Sequence, residues 1–221
     1  MNILTIEREF GSGASNIAEQ LAQRLGWKLW DRALTDEIAK VAQVDPKSVQ
    51  RCDEHVDTLL YRLAKVFARG SYERALPISG PEAFDTDRMV ALVQQVIEAA
   101  AAQGNCVVVG RGAPWILRGR PEAFHVFIYA PREEKIQRVR ALGKPEEEAI
   151  EMVDTIDQER AAFIKRYYGK EWPTRALYDL MINSALGEEL VINTILDTMH
   201  AKGLQGPPLD IDRPRKSPAL A

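Results

Sequence analysis

A doubly wound α/β domain built on five parallel strands is what this chain of 221 residues predicts. Three observations lead there. Strand-sized apolar runs alternate with helical patterns, a glycine-bearing loop follows the first run, and the composition is of ordinary globular kind, 46% hydrophobic and 28% charged.

Asn2–Ile6 is the first apolar run, and the charged residues that follow place a loop over Glu7–Gly13. From Ala14 to Leu25 the apolar residues Ile17, Ala18, Leu21, Ala22 and Leu25 recur at helical spacing, and Gly26 ends the pattern. Trp27–Trp30 reads as a second short strand closing at Asp31. The interval 33–103 is helical in pattern, with pieces at Ala33–Ala42, Pro46–Arg51, Val56–Arg69 and Thr86–Ala102 and a turn-rich break over Gly70–Pro81. A buried strand follows at Asn105–Val109, leading into Gly110-Arg111-Gly112. Phe124–Tyr129 is the fourth strand, and Pro131 opens a helix running to about Leu142. Residues 145–168 form a charged helical stretch whose first turn, Glu146–Glu148, suits the helix dipole. Asp179–Asn183 is the fifth strand and Glu188–His200 the last helix. The tail 203–221 holds four of the twelve prolines without apolar periodicity and reads as a loose extension.

Composition excludes several functions. Twenty-nine basic against 32 acidic residues leave a net charge of −3, unlike a protein that grips nucleic acid over a broad surface. Cys52 and Cys106 are too few for a disulfide framework, and His55, His125 and His200 lie too far apart for zinc-motif spacing. No apolar run is long enough to span a bilayer, and Glu7 interrupts the N-terminus too early for a signal peptide. The expectation is a soluble protein of the reduced cytoplasm.

The loop Phe10-Gly11-Ser12-Gly13-Ala14-Ser15 joins strand to helix, where backbone N–H groups and the helix dipole attract phosphate. Set against G-x-x-x-x-G-K-[ST], Gly13 takes the second glycine, Ser15 the magnesium-binding hydroxyl, Ala14 the lysine and Arg8 the first glycine. Two of four defining positions survive, so the same loop also suits a plain turn. A dinucleotide fingerprint is a further alternative, since Gly11, Gly13 and Asp31 fit it while Asn16 occupies its third glycine. Arginines discriminate more. Arg111, between two glycines at a carboxyl sheet edge, and Asp31 with Arg32 at the neighbouring edge stand where open α/β folds bind ligands. Arg160 and Arg166 add guanidinium groups suited to phosphoryl transfer, but their spacing of six needs a bend to converge. Arg160 has a structural alternative in pairing with Asp157 or Glu159, and Arg166 in being solvated.

Glu7-Arg8-Glu9-Phe10-Gly11-Ser12-Gly13, Trp30-Asp31-Arg32, Val107-Val108-Val109-Gly110-Arg111-Gly112 and Tyr178–Asn183, taken in order, resemble the cytidylate kinase-like family of P-loop proteins over residues 2–200. The resemblance implies a three-layer nucleoside monophosphate kinase fold over 1–202, with a helical acceptor-binding insertion at 43–103 and a lid over 145–170. It also implies phosphoryl transfer from ATP to a nucleoside monophosphate or related small acceptor, with Mg2+. Carried over by position, Gly11, Ser12, Gly13 and Ser15 cradle donor phosphates, Arg111 holds the acceptor phosphate, and Arg160 and Arg166 are lid arginines. Asp31 and Arg32 line the acceptor side, and Ser15 and Asp31 serve magnesium. Two departures stand out. Ala14 replaces the loop lysine, for which Arg8 is the expected substitute, and Gly112 replaces the aspartate with which cytidylate kinases help read cytosine. The first departure keeps a second reading open, a nucleotide-binding regulatory module that has lost transfer. The helices of 43–103 are the surface through which a homodimer would form.

Among the remaining residues, Trp27, Trp30, Trp115 and Trp172 read as packing, with Trp115 near enough to Arg111 to line a site. Cys106 reads as a buried small residue and Tyr167-Tyr168 as an anchor for the return of the lid.

Overall fold

The computed structural model describes residues 2–31 and 86–204, with side chains of the first helix after the gap described from Val90 onward. The elements in order are β1 (Ile3–Arg8), α1 (Ala14–Leu25), β2 (Lys28–Trp30), α2 (Thr86–Gln103), β3 (Cys106–Val109), α3 (Ala113–Ile116), β4 (Ala123–Tyr129), α4 (Arg132–Ala141), α5 (Glu146–Tyr168), β5 (Leu180–Asn183) and α6 (Glu188–Ala201). Most of the predicted insertion, Arg32, and the tail beyond Leu204 lie outside the described residues.

All five strands are parallel in the order β2-β3-β1-β4-β5. β1 is therefore central, with Ile3 opposite both Cys106 and Ala123. A strand covered on both faces must be apolar on both, and Ile3, Leu4 and Ile6 are fully buried. Alternation then sorts the core into two layers. Leu4, Ile6, Val107, Val109, Phe124, Val126 and Ile128 pack with Ile17, Ala18 and Leu21 of α1 and Val191, Ile192 and Ile195 of α6. Ile3, Cys106, Val108 and Ala123 face the other way, onto Val93, Val96, Ile97 and Ala100 of α2 and onto Ala113 and Leu117. Helices thus cover both faces of one sheet, as the strand–helix alternation predicts. Cys106 is fully buried, and burial pushes its thiol up to about 11, so it packs rather than reacts.

Boundaries shift in ways that matter at one place. β1 runs two residues further than its apolar stretch, to Arg8, because Glu7 and Arg8 pair in register with Phe127 and Ile128 and are buried. The loop expected from Glu7 accordingly starts at Glu9. Pro131 caps α4 instead of lying in its first turn. The bend that would bring Arg160 and Arg166 together is not formed, since α5 is a single 23-residue helix ended by Gly169 in the left-handed conformation. No described helix is long and apolar enough to cross a membrane.

At the amino end of the sheet His125 is buried, its Nδ1 lying 2.7 Å from Thr5 Oγ1. Asp179 accepts the His125 backbone N–H at 2.8 Å and receives Lys202 Nζ at 2.7 Å. Burial lowers the imidazole pKa, with Lys202 acting in the same sense and Asp179 opposing. The ring is therefore neutral in the fold, and its contribution is complete above the unfolded value of about 6.5 and fades as pH falls below it. Urea unfolding between pH 7.5 and 5 is expected to show stability falling toward acid, with a shallower fall in His125→Gln.

Candidate functional site

The carboxyl edge of the sheet gathers charge that the core beneath it lacks. Glu7, Arg8, Asp31, Arg111, Lys135 and Arg160 are each no more than 8% exposed, and they come from the ends of three strands and from α4 and α5. Burying so many ions is tolerable only where they face opposite charges and hydrogen-bond partners.

Asp157 of α5 does most of the joining. Its Oδ1 accepts the Phe10 backbone N–H at 2.8 Å and Arg160 Nη1 at 3.0 Å, and its Oδ2 lies 3.3 Å from Lys135 Nζ. Arg160 Nη1 also donates to the Arg8 carbonyl at 2.8 Å, stitching α5 to the last residue of β1. Lys135 completes its pairing at 3.0 Å from Glu9 Oε2, which also accepts the Ala130 N–H at 3.3 Å. Strand end, loop and two helices are thus fixed to one another through charge-assisted hydrogen bonds.

Arg111 is presented by an unusual backbone. Its φ is +62°, between Gly110 and Gly112 that are each at +70°. Three successive left-handed residues reverse the chain directly after β3, and the non-glycine among them carries the strain often found where side-chain position matters. The glycines are also required for space. A β-carbon on Gly110 would overlap Arg8 Nη1, and one on Gly112 would lie 2.9 Å from the Tyr168 ring. Arg8 therefore reaches across to Gly110. Burial pushes the Arg111 pKa down to about 10, helped by Arg8 and Arg160 and opposed by Asp31 and Glu7. Burial likewise lowers Arg160 and raises the Glu7 carboxyl, while nearby arginines pull Glu7 back toward the charged form.

The loop itself turns tightly. Ser12 Oγ donates to the Glu9 carbonyl at 2.8 Å, and Gly11 and Gly13 sit at φ +74° and +77°. Gly13 occupies the N-cap position of α1 without a side-chain cap, so the first-turn N–H groups of Ala14, Ser15 and Asn16 have no intrahelical acceptor. Two α4 side chains press against this loop. The Cβ of Lys135 would be 3.0 Å from a β-carbon on Gly11, and Arg138 lies 3.9 Å from one on Gly13. Arg138 Nη1 donates to the Ser12 carbonyl at 3.1 Å and to Ser184 Oγ at 3.0 Å.

Of the residues singled out from the sequence, Arg8, Asp31, Arg111 and Arg160 are brought together, and Gly11, Ser12, Gly13 and Ser15 form the neighbouring loop and helix start. Arg166 is not brought in. It is exposed near the end of α5, with its guanidinium 5.7 Å from the Tyr167 ring. Trp115 packs with Phe163 and Ile164, near Tyr168, instead of standing open. Glu7, Glu9, Lys135 and Arg138 were missed as site residues, and Asp157 was read only as a partner for Arg160. The available signal was position: Lys135 and Arg138 fall within the helix that directly follows the carboxyl end of β4. Among the described residues no group of three or more His, Cys, Asp or Glu side chains is arranged to hold a metal ion.

A model of the cytidylate kinase-like family matches residues 3–186. The cytidylate kinase of Ignicoccus hospitalis is 25% identical over 202 residues, spanning 88% of this chain and 97% of that protein. Among solved structures, an uncharacterized protein from Eubacterium ventriosum is similar with a TM-score of 0.65 at 22% identity, over 90% of this chain and 98% of the other. Shikimate kinase from Acinetobacter baumannii in complex with shikimate has a TM-score of 0.52 at 14% identity, over 93% and 96%. These structural likenesses establish a P-loop kinase fold.

Removing the Asp157 carboxylate leaves Arg160 and Lys135 buried with less compensation and the Phe10 N–H without its acceptor. Asp157→Ala is expected to lower stability by about 3–5 kcal/mol, read as a fall in the midpoint of denaturant unfolding.

Proposed function

The chain belongs to the cytidylate kinase-like family, and from that premise we propose that it transfers the terminal phosphoryl group of ATP to a nucleoside monophosphate or a related small phosphorylated acceptor. The observation that carries this reading is the convergence of Arg8, Arg111 and Arg160 beside a glycine loop that opens onto a helix N-terminus. Phosphoryl transfer demands positioning and positive charge more than it demands a protein nucleophile.

On this reading the N–H groups of Gly13, Ala14 and Ser15 receive donor phosphates, with Gly11 and Ser12 shaping the loop. Arg111 and Asp31, together with Arg32, line the acceptor side. Arg111 holds the acceptor phosphate, and Arg160, fixed by Asp157, stabilises charge on the travelling group. The acceptor phosphate oxygen attacks in line, the bond from phosphorus to the ADP oxygen breaks, and no general base is needed because the attacking oxygen is already ionised. Arg166 enters this scheme only through movement of the carboxyl end of α5, the region proposed as a lid.

Magnesium fits the donor set in a limited way. The Ser15 hydroxyl and Asp31 carboxylate are hard oxygen ligands, and magnesium usually takes one or two such groups, with phosphates and water completing its shell. Bound there, it would neutralise charge on the phosphates.

The acceptor is not assigned as CMP. At Gly112, φ +70° and the Tyr168 ring leave no room for the side chain that cytidylate kinases carry, so the base is read by other groups or is not cytosine. Ala14 favours the second reading, a nucleotide-binding module without transfer. A coupled assay with ATP, Mg2+ and a panel of nucleoside monophosphates separates the two. Acceptor-dependent ADP formation is expected, with Arg111→Ala reducing kcat/KM by about a thousandfold. Tight ATP binding with no ADP formed for any acceptor would establish the regulatory module instead.

A further inference from the structure

We propose that Arg138 of α4 supplies the donor-phosphate charge that the loop lacks at Ala14, so that the phosphate-binding cation approaches from α4 across the loop. The inference rests on the reading of the site as a nucleoside triphosphate site and names one of its ligand-binding residues.

Arg8, Arg111, Lys135 and Arg160 share the carboxyl edge of the sheet with Glu7, Glu9, Asp31 and Asp157. Lys135 pairs with both Glu9 and Asp157, Arg160 with Asp157, and Arg111 lies in the field of Asp31 and Glu7. Lys135 is the lysine nearest the glycines, but it is held at 3.0 Å from Glu9 and 3.3 Å from Asp157. Its ammonium group is taken up by these two carboxylates, and what lies against Gly11 is its Cβ and backbone. Arg8 extends toward Gly110.

Arg138 differs on each count. Its closest partners are neutral: the Ser12 carbonyl at 3.1 Å, Ser184 Oγ at 3.0 Å and the Ser184 carbonyl at 3.4 Å. The acid nearest to it, Glu134, is 3.7 Å away and on the same helix. Its side chain is 32% exposed, open enough to meet a ligand. Nε and Nη1 lie against Gly13, the residue from which the first-turn N–H groups of α1 emerge. A guanidinium there adds a whole positive charge to the partial charge of the helix start, from a position anchored to the loop's own carbonyl. Ser184, directly after β5, fixes the far side of the same group and accounts for an otherwise unremarkable buried serine that also donates to the Tyr129 carbonyl at 3.2 Å.

The test compares binding of ATP, ADP and adenosine to the full-length wild type, Arg138→Gln and Arg138→Lys by calorimetry, with thermal melting alongside. Glutamine keeps a donor for Ser12 and Ser184 but removes the charge. Arg138→Gln is expected to weaken ATP and ADP binding by about 10- to 100-fold, the equivalent of one charge-assisted contact, while adenosine affinity and melting temperature change little. Arg138→Lys, which keeps the charge, should stay within about threefold of wild type for ATP. Equal ATP affinity in wild type and Arg138→Gln would overturn the inference and leave the kinase reading standing. So would equal losses for ATP and adenosine. Should Arg138→Gln fail to fold, a folded Arg138→Lys that loses ATP binding would overturn it as well. Absence of ATP binding in the wild type would overturn both proposals.

Discussion

A single carboxylate, that of Asp157, sets the relation between the parts of this site. It accepts from the backbone of the loop after β1, from Arg160 on its own helix and from Lys135 on α4. A neutral side chain would satisfy the Phe10 N–H without holding two cations. Helical geometry explains the choice of position, since three residues separate Asp157 from Arg160 and place both on the face that meets the sheet edge. The same face buries Ile156, Phe163 and Ile164, so apolar packing and the ion pair hold α5 in one register.

The fold was largely legible in the sequence because it depends on local regularities. Each strand and each described helix but the short α3 was anticipated, and boundaries moved by only a residue or two where Gly or Pro marked them. The exception was the end of β1. Glu7 and Arg8 look like the start of a loop because charge ordinarily marks the surface, but their compensation comes from Arg160, far away in the chain, and from the neighbourhood of Arg111. No pattern confined to a dozen residues contains that information. Glycine punctuation, by contrast, carried further than expected. Gly110 and Gly112 flagged Arg111, and the structure gives the reason: both need positive φ and both face a side chain pressed against them.

The site was legible only in part, for a related reason. Arginines at strand ends can be read directly from the order of elements, which is how Arg111 and the Asp31 edge were found. A helix residue such as Arg138 or Lys135 counts toward the site only when the face of its helix is known, and α4 has no clear apolar stripe to declare it. Its buried residues are Lys135, Ile136 and Val139, so a charged residue takes part in the packed face. Arg166 illustrates the reverse case. Six positions from Arg160, it falls on another side of an unbroken helix, and only a bend that α5 lacks would have joined them.

The near balance of charge, −3 over the chain, is reproduced at the sheet edge, where four cations face four carboxylates. Such a set is preorganised at the cost of competition. Every carboxylate that holds an arginine in place also occupies part of the guanidinium a phosphate would need. A ligand with several negative charges can prevail because it replaces distributed carboxylates with multiple oxygens in bidentate geometry, and the arginines need not reorganise to receive it. Arg138, held at 3.0–3.4 Å by carbonyl and hydroxyl groups, meets a carboxylate only at 3.7 Å, that of Glu134. The site thus divides its cations by the partners they already have. On the proposed reading, arginines held by acids would supply fixed geometry around the transferring group, and Arg138, anchored to neutral dipoles, would supply net attraction at the loop. A flexible loop lysine would combine both tasks in one mobile side chain, whereas the proposed scheme distributes them between strand ends and α4.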